Sequence, residues 1–254
     1  MADIEVEDRG GVRWIRINRP ERRNAYDREM AAAMTEAFIT ASPFEAVVLT
    51  GSGGSFCAGG YLANLESADP ETIRALFASS LRLVEAIRDC PRPVIAAVDG
   101  PAAGGGNELV IACDFAIATR RSTFGQTGPR VGSAPVLGAT NLLPIQIGEK
   151  RAKEMAMMCR RYSADQALSW GLINEVTEDD GLEAAVERWL AEIHELSPRS
   201  LEIVKVSSNV WWNAAGDNMR SGLAMLVQAI GGHDMVEGAR AFLEKRKPNF
   251  RGKA

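Results

Sequence analysis

Two glycine-rich loops and one glutamate are the residues best suited by type and spacing to do chemistry. The first loop reads Gly51-Ser52-Gly53-Gly54-Ser55-Phe56-Cys57-Ala58-Gly59-Gly60, and the second reads Asp99-Gly100-Pro101-Ala102-Ala103-Gly104-Gly105-Gly106-Asn107-Glu108. Glycine in such loops permits positive φ and lets a ligand approach the backbone closely. A dinucleotide fingerprint fails, because Gly51-x-Gly53 is followed by Phe56 where a third glycine belongs. A P-loop fails too, since Gly106-Asn107-Glu108 stands where Gly-Lys-Ser/Thr is required. A tight strand-to-helix turn without any ligand accounts for one such loop equally well. Two of them, one strand–helix unit apart, point to a pair of backbone N–H groups converging on a carbonyl oxygen. Such an oxyanion hole stabilises an enolate or tetrahedral intermediate, at roughly 2.7–4 kcal/mol per donor in other enzymes. Glu108 is then a candidate general base, against the plainer reading of an acid favoured by the dipole at a helix N-terminus. Burial would raise its pKa and the dipole would lower it; the residues alone leave that contest open.

The elements that must position these groups are legible from periodicity. Val12, Trp14, Ile15 and Ile17, interleaved with Arg13 and Arg16, predict a short strand that stops at Arg19-Pro20. A helix follows from Asp27, with Met30, Met34, Ala37 and Phe38 on one stripe. Ala46 to Thr50 is a continuous apolar run expected of a strand covered on both faces, and it feeds the first glycine loop. A longer helix is expected from about Glu71 to Asp89. The order then recurs: strand Pro93 to Val98, loop Asp99 to Gly106, helix from Asn107 to Ala112, strand Phe115 to Ala118. From Gly138 onward the expectation is mainly helical, with segments near 150–161, 164–170, 182–196 and 221–230. Alternating strands and helices followed by a helical tail predict an α/β fold with a C-terminal helical region.

Composition narrows the function classes. The chain has 254 residues, 46% hydrophobic and 24% charged, which is ordinary for a folded domain. A net charge of −4 supplies no global field for nucleic acid or an anionic membrane, so an anionic ligand would need a local basic pocket. Cys57, Cys90, Cys113 and Cys159 are widely spaced, and with only His194 and His233 a metal site is not expected. Met1 to Gly10 is acidic and lacks the apolar core of a signal peptide, and no stretch reaches the roughly 18 apolar residues of a membrane span. A cytoplasmic location is the expectation.

Three stretches taken together resemble the enoyl-CoA hydratase/isomerase (crotonase) superfamily: Phe56 to Gly60, Pro93 to Gly106, and Ala112 to Ala118. The likeness continues through Arg19-Pro20-Glu21-Arg22-Arg23-Asn24-Ala25, Gly171 to Val176 and Glu237 to Arg246. It implies a crotonase-like spiral of ββα units over residues 1–195, with a C-terminal helical trimerisation region over 196–254. By the same resemblance, the N–H groups of Gly60 and Gly105 are the oxyanion donors and Glu108 the catalytic acid–base. The Ala58 carbonyl corresponds to an adenine contact, Arg23 to a basic residue near the coenzyme A phosphates, and Phe242 and Lys245 to tail positions completing the coenzyme A site, in some members from a neighbouring subunit. Coenzyme A enters as part of the thioester substrate, with no tightly bound cofactor, no metal, and a homotrimer or hexamer as the expected assembly.

The departures are as informative. Hydratases of the family hold one water between two glutamates, and the position of the second, four residues after Phe124, is Gly128. The stretch Phe124 to Ser133 resembles naphthoate synthases and ring-opening oxocyclohexanecarbonyl-CoA hydrolases, yet their aspartate is absent from Ala134-Pro135. Gly132-Ser133-Ala134-Pro135 is closer to 6-oxocyclohex-1-ene-1-carbonyl-CoA hydrolases. Tyr61 replaces a frequent aspartate and is expected to wall the substrate pocket beside Gly128 and Ser133. The leading expectation is addition of water to an enoyl-CoA. The alternatives are ring-opening C–C hydrolysis of a cyclic oxoacyl-CoA, double-bond isomerisation, and a non-catalytic acyl-CoA-binding member.

Remaining features have bland readings. Trp211-Trp212 is expected in the core or an interface, and Met155, Met157 and Met158 in packing. Arg120-Arg121 and Arg160-Arg161 are expected on solvated faces, and neither His194 nor His233 has a catalytic context.

Overall fold

Alternation of side chains to the two faces of a strand explains how the central strands serve two cores at once. In the strand Ala46–Gly51, Val47 and Leu49 enter one hydrophobic cluster while Ala46 and Val48 enter the other. In Val94–Val98 the odd partners Ile95 and Ala97 face the second cluster, and Val94, Ala96 and Val98 the first. A computed structural model of the chain describes residues 3–61 and 69–251; Met1 and Ala2 of the acidic N-terminal segment lie outside these.

The strands are β1 Ile4–Arg9, β2 Val12–Ile17, β3 Ala46–Gly51, β4 Val94–Val98, β5 Pro101–Ala103, β6 Phe115–Thr119, β7 Thr123–Gly125, β8 Tyr162–Ser163 and β9 Glu175–Thr177. The first five helices are α1 Arg28–Ile39, α2 Pro70–Asp89, α3 Gly105–Ala112, α4 Leu143–Ile147 and α5 Glu149–Met158. They are followed by α6 Ala164–Trp170, α7 Leu182–His194, α8 Pro198–Ser208, α9 Val210–Gln228 and α10 His233–Leu243. One sheet has the order β1-β2-β3-β4-β6-β9, parallel from β2 onward, and β5-β7-β8 form a second sheet. Helices α1, α2 and α3 cover one face of the large sheet, and α7 covers the other through Ala185, Val186, Leu190 and Ile193. The α/β expectation with C-terminal helices holds.

Helix starts follow capping chemistry. Asp27 accepts a hydrogen bond from the Met30 N–H at 3.0 Å to open α1. Asp69 caps α2, with Pro70 in the first turn where its missing N–H costs nothing. Ser163 and Gln166 form a reciprocal capping box at α6.

The structure corrects several expected boundaries. The acidic segment before Gly10 forms β1, a charged edge strand paired antiparallel to β2. Its alternation is hidden by glutamates and aspartate, which suit an edge that must not pair further. The expected loop 99–106 contains β5, and α3 begins at Gly105 rather than Asn107. The largely helical half after Gly138 also carries β8 and β9, too short to show a period. Helix α9 starts at Val210, well before the expected 221, despite Asn213, Gly216, Asp217 and Asn218, which are weak helix formers. Tertiary packing overrides them: the Trp212 indole is buried and donates to Asp89 Oδ1 at 3.2 Å on α2. Trp211 beside it is 62% exposed. Among the methionines, Met155 is fully buried while Met157 and Met158 are exposed. Both arginine pairs lie at the surface, Arg120 paired with Glu178, Arg121 with Asp99 and Arg160 with Glu154. Among the described residues, no helix is long and apolar enough to cross a membrane.

Candidate active site

The Arg-Pro-Glu-Arg-Arg-Asn stretch is a clamp for the first glycine loop. Arg23 and Asn24 both adopt left-handed backbone conformations, φ 52° and 58°, and asparagine tolerates this region better than most residues. That turn aims the buried Asn24 amide at the loop, where it donates to the carbonyls of Ser52 at 2.9 Å and Ser55 at 2.6 Å. The Arg23 carbonyl in turn accepts from the Ala58 N–H at 3.0 Å. The two glycine loops are stitched to each other: Phe56 and Cys57 donate to the Pro101 carbonyl, and Ala103 donates to that of Cys57 at 3.0 Å.

Tyr26 and Gly60 form a parallel bridge in which Tyr26 N–H donates to the Gly59 carbonyl and Tyr61 N–H to the Tyr26 carbonyl. Because the flanking residues supply both bonds, the N–H of Gly60 itself points to the opposite side. Gly105 is the first residue of α3, so its N–H has no intrahelical acceptor. A Cβ placed on Gly59, φ 91°, would sit 2.8 Å from Gly105 N, so only glycine lets the loops approach this closely. Gly60 and Gly105 line one cleft together with Ala58, Glu108, Gly128 and Ser133.

Glu108 is buried in the first turn of α3. Its Oε1 accepts from the Leu137 N–H at 2.8 Å and from the Ala139 N–H at 3.4 Å. Burial pushes its pKa up to about 7, against the opposing pull of those two backbone donors. Desolvation therefore wins the contest left open by the sequence. A carboxyl titrating near neutrality can both accept and return a proton at the pH of a cell.

Gly128 lies in a 3-10 turn, Gly128–Val131, with α10 packed against it. A Cβ there would meet Ala134 Cα and C and Pro135 Cδ, each at 3.1 Å. The chain at 134–135 thus occupies the space in which a second carboxylate would begin. Helix α10 is packed so tightly that a Cβ on Gly238 would lie 2.3 Å from the Val131 carbonyl carbon.

Not every expected residue joins the cleft. Tyr61 borders a neighbouring surface basin with Arg19, Arg22 and Arg28, its ring 4.2 Å from the Arg22 guanidinium. The Arg23 side chain is exposed and outside the cleft lining. Phe242, 60% exposed, and Lys245, just beyond α10, are likewise outside it. Beyond them, the tail is folded back by Arg246, which binds both carboxylate oxygens of Glu237 at 2.6 and 2.9 Å.

The structure adds groups that the sequence pattern does not single out. The Tyr26 ring is buried and lines the cleft, as does Ser80 of α2. Gln126 also lines it, with both side-chain amide atoms buried and without a hydrogen-bond partner among the described residues. Tyr26 directly follows the arginine-rich turn and Ser80 interrupts an apolar helix stripe, the one signal that either carried. Among the described residues, no group of three or more His, Cys, Asp or Glu could hold a metal ion.

Residues 7–253 match the enoyl-CoA hydratase/isomerase family, and the chain belongs to it. Solved structures agree across the full length. An enoyl-CoA hydratase from Mycobacterium avium subsp. paratuberculosis K-10 superimposes with TM-score 0.89 at 29% identity, covering 99% of both chains. An enoyl-CoA hydratase/isomerase from Xanthobacter autotrophicus Py2 gives 0.83 at 31% identity, covering 98% of this chain and 99% of that one. An enoyl-CoA hydratase from Bacillus anthracis gives 0.79 at 30% identity, covering 99% and 100%. The fold is therefore the crotonase fold, and the family's substrates are coenzyme A thioesters.

Proposed function

We propose that this chain adds water to an enoyl-CoA, with Gly60 and Gly105 as oxyanion donors and Glu108 as the one carboxylate that the described residues bring to the cleft. The observation that carries the reading is Glu108 itself: buried at the cleft, oriented by Leu137, with a pKa of about 7. In this mechanism the thioester oxygen accepts from the Gly60 and Gly105 N–H groups. Glu108 takes a proton from water as the water oxygen bonds to the β-carbon. The electron pair of the double bond moves to the α-carbon and is held as an enolate by the two donors. Protonated Glu108 then returns the proton to the α-carbon, which closes the cycle with a single acid–base group.

A second reading is favoured by Gln126 and Gly128. Ring-opening hydrolysis of a cyclic oxoacyl-CoA needs a polar contact for a ring ketone, and the unpartnered Gln126 amide could donate one. In that reaction the same water attacks the ketone and the enolate leaves on the oxyanion glycines. Isomerisation, with Glu108 carrying a proton between carbons, and acyl-CoA binding without turnover complete the set.

Mass spectrometry after incubation with linear enoyl-CoAs and with cyclic oxoacyl-CoAs separates these reactions. Gain of one water with an unbranched or intact acyl group marks hydration, and an opened dicarboxylate marks hydrolysis. Binding of coenzyme A thioesters without any mass or positional change would leave only the binding member. The proposal extends to assembly: residues 1–195 form the catalytic core and 196–254 the region that builds a trimer or hexamer in the cytoplasm. Phe242 and Lys245 then serve a neighbour's coenzyme A site, with Ala58 and Arg23 on the receiving side. A monomer in sedimentation at micromolar concentration would refute that assembly.

A further inference from the structure

We propose that the Tyr26 hydroxyl is a third hydrogen-bond donor to the thioester oxygen, held in place by Ser80, so that the oxyanion hole has one side-chain member besides its two backbone ones. The inference rests on the acyl-CoA reading of the cleft and deepens it.

The Tyr26 hydroxyl lies beside the two expected backbone donors. At the position a Cβ would take on Gly105, Tyr26 Oη is 2.8 Å away and Gly60 N is 3.4 Å away. Tyr26 Oη and Gly60 N thus approach the same side of Gly105, an approach that a side chain at 105 would block. The Tyr26 ring is 3% exposed and its backbone is fixed on both sides by bonds to Gly59 and Tyr61, so the hydroxyl has little freedom to leave.

Its protonation state suits a donor. Burial pushes the Tyr26 phenol well above the ordinary tyrosine range, and the Glu108 carboxylate opposes phenolate formation further. The hydroxyl thus stays neutral and keeps its proton to donate. Ser80 lies within hydrogen-bond reach of the Tyr26 oxygen and of the Leu76 carbonyl, the latter at 2.9 Å; with its single proton turned from Leu76 to Tyr26 it braces the phenol as a donor and leaves the Tyr26 proton free for the thioester oxygen. Ser80 touches no reacting atom in this account and is a positioning residue. A neutral, desolvated donor of fixed orientation gains strength as negative charge develops on its acceptor.

The test uses acetoacetyl-CoA, a 3-oxoacyl thioester whose enolate is read by ultraviolet absorbance. Bound at saturation and titrated over pH in a Glu108→Gln background, the enolate is read without an ionising Glu108 beside it. With Tyr26 present, the apparent pKa of enolisation should fall well below that of free acetoacetyl-CoA. Tyr26→Phe should raise it by about one pH unit, a tenfold loss expected for one hydrogen bond to a charged oxygen. Ser80→Ala should raise it by a smaller amount. If Tyr26→Phe stabilises the enolate as well as the chain that keeps the hydroxyl, the third donor is refuted while the two-glycine hole stands. If no stabilisation occurs even with Tyr26 present, the acyl-CoA reading of this cleft itself fails. Should Tyr26→Phe not fold, a fluorinated tyrosine at position 26 keeps the shape and sharpens the donor. It should lower the apparent pKa further, and an unchanged value would overturn the proposal.

Discussion

The backbone N–H of Leu137 donates to Oε1 of Glu108 at 2.8 Å, tying the first turn of α3 to a loop 29 residues further along the chain. This bond fixes the carboxylate without neutralising it. The charged form keeps its acceptor role, yet burial still dominates and holds the group at about 7. A base held in this state is neither permanently ionised nor permanently protonated.

The pH profile of turnover should report that group. With Glu108 as the base, kcat/KM rises with pH and reaches half its plateau at about pH 7, where an ordinary glutamate would do so near 4.5. Glu108→Gln should abolish that limb and lower turnover by about 10²–10⁴-fold, with coenzyme A thioester affinity nearly intact. Full activity in Glu108→Gln would exclude Glu108 from the chemistry.

Stability should depend on pH through the same residue. Its folded pKa of about 7 lies above the ordinary 4.5, so between those values the folded chain binds more protons than the unfolded one. The contribution is fully present below pH 4.5 and is lost as pH rises through about 7. Urea unfolding at about pH 4 and about pH 8, on either side of that transition, should therefore show the midpoint of Glu108→Gln gaining on that of the parent chain at the higher pH. An equal offset at both values would contradict the raised pKa.

Gly105→Ala tests the open space between the donors. The new methyl would sit 2.8 Å from Tyr26 Oη and 3.4 Å from Gly60 N, crowding the edge of the space in which the reading places the thioester oxygen. Turnover should fall by about 10²-fold or more, comparable to losing one oxyanion donor. The melting temperature should fall as well, because the buried Tyr26 hydroxyl has little freedom to withdraw and the Gly59 Cα lies 3.3 Å from the same methyl. Retained turnover in this variant would move the thioester elsewhere.

Gly128→Glu asks whether the missing carboxylate can be restored. The first carbon of the new side chain meets Ala134 and Pro135 at 3.1 Å, in a turn already braced by α10. Overpacking of this kind costs typically about 1–3 kcal/mol. The expected outcome is a lower melting temperature and no gain in hydration of linear enoyl-CoAs. A gain in hydration with unchanged stability would show that the 134–135 segment yields readily.

Much of this molecule is written in local pattern. The apolar runs of β3, β4 and β6 and the stripe along α2 mark burial directly, because side-chain periodicity repeats the geometry of the element. The two glycine loops stand out because strand, glycine loop and helix follow one another, and the family resemblance singles out Gly60, Gly105 and Glu108 within them; the fold brings all three to one cleft. Elements without a period of their own do not stand out: β1 is masked by its charges, β8 and β9 are two or three residues long, and the start of α9 depends on Trp212 finding Asp89. In the cleft, only folding brings Tyr26, Ser80 and Leu137 to the two loops, since their proximity is a property of packing and no spacing encodes it. The same holds for Gly128, whose empty position is filled by Ala134 and Pro135, and for Tyr61, turned toward Arg22 and away from Glu108. The sequence by itself placed an acid at a helix N-terminus. The direction of its pKa was decided by the apolar surroundings that tertiary structure folds around it, because desolvation depends on neighbours that are distant in the chain.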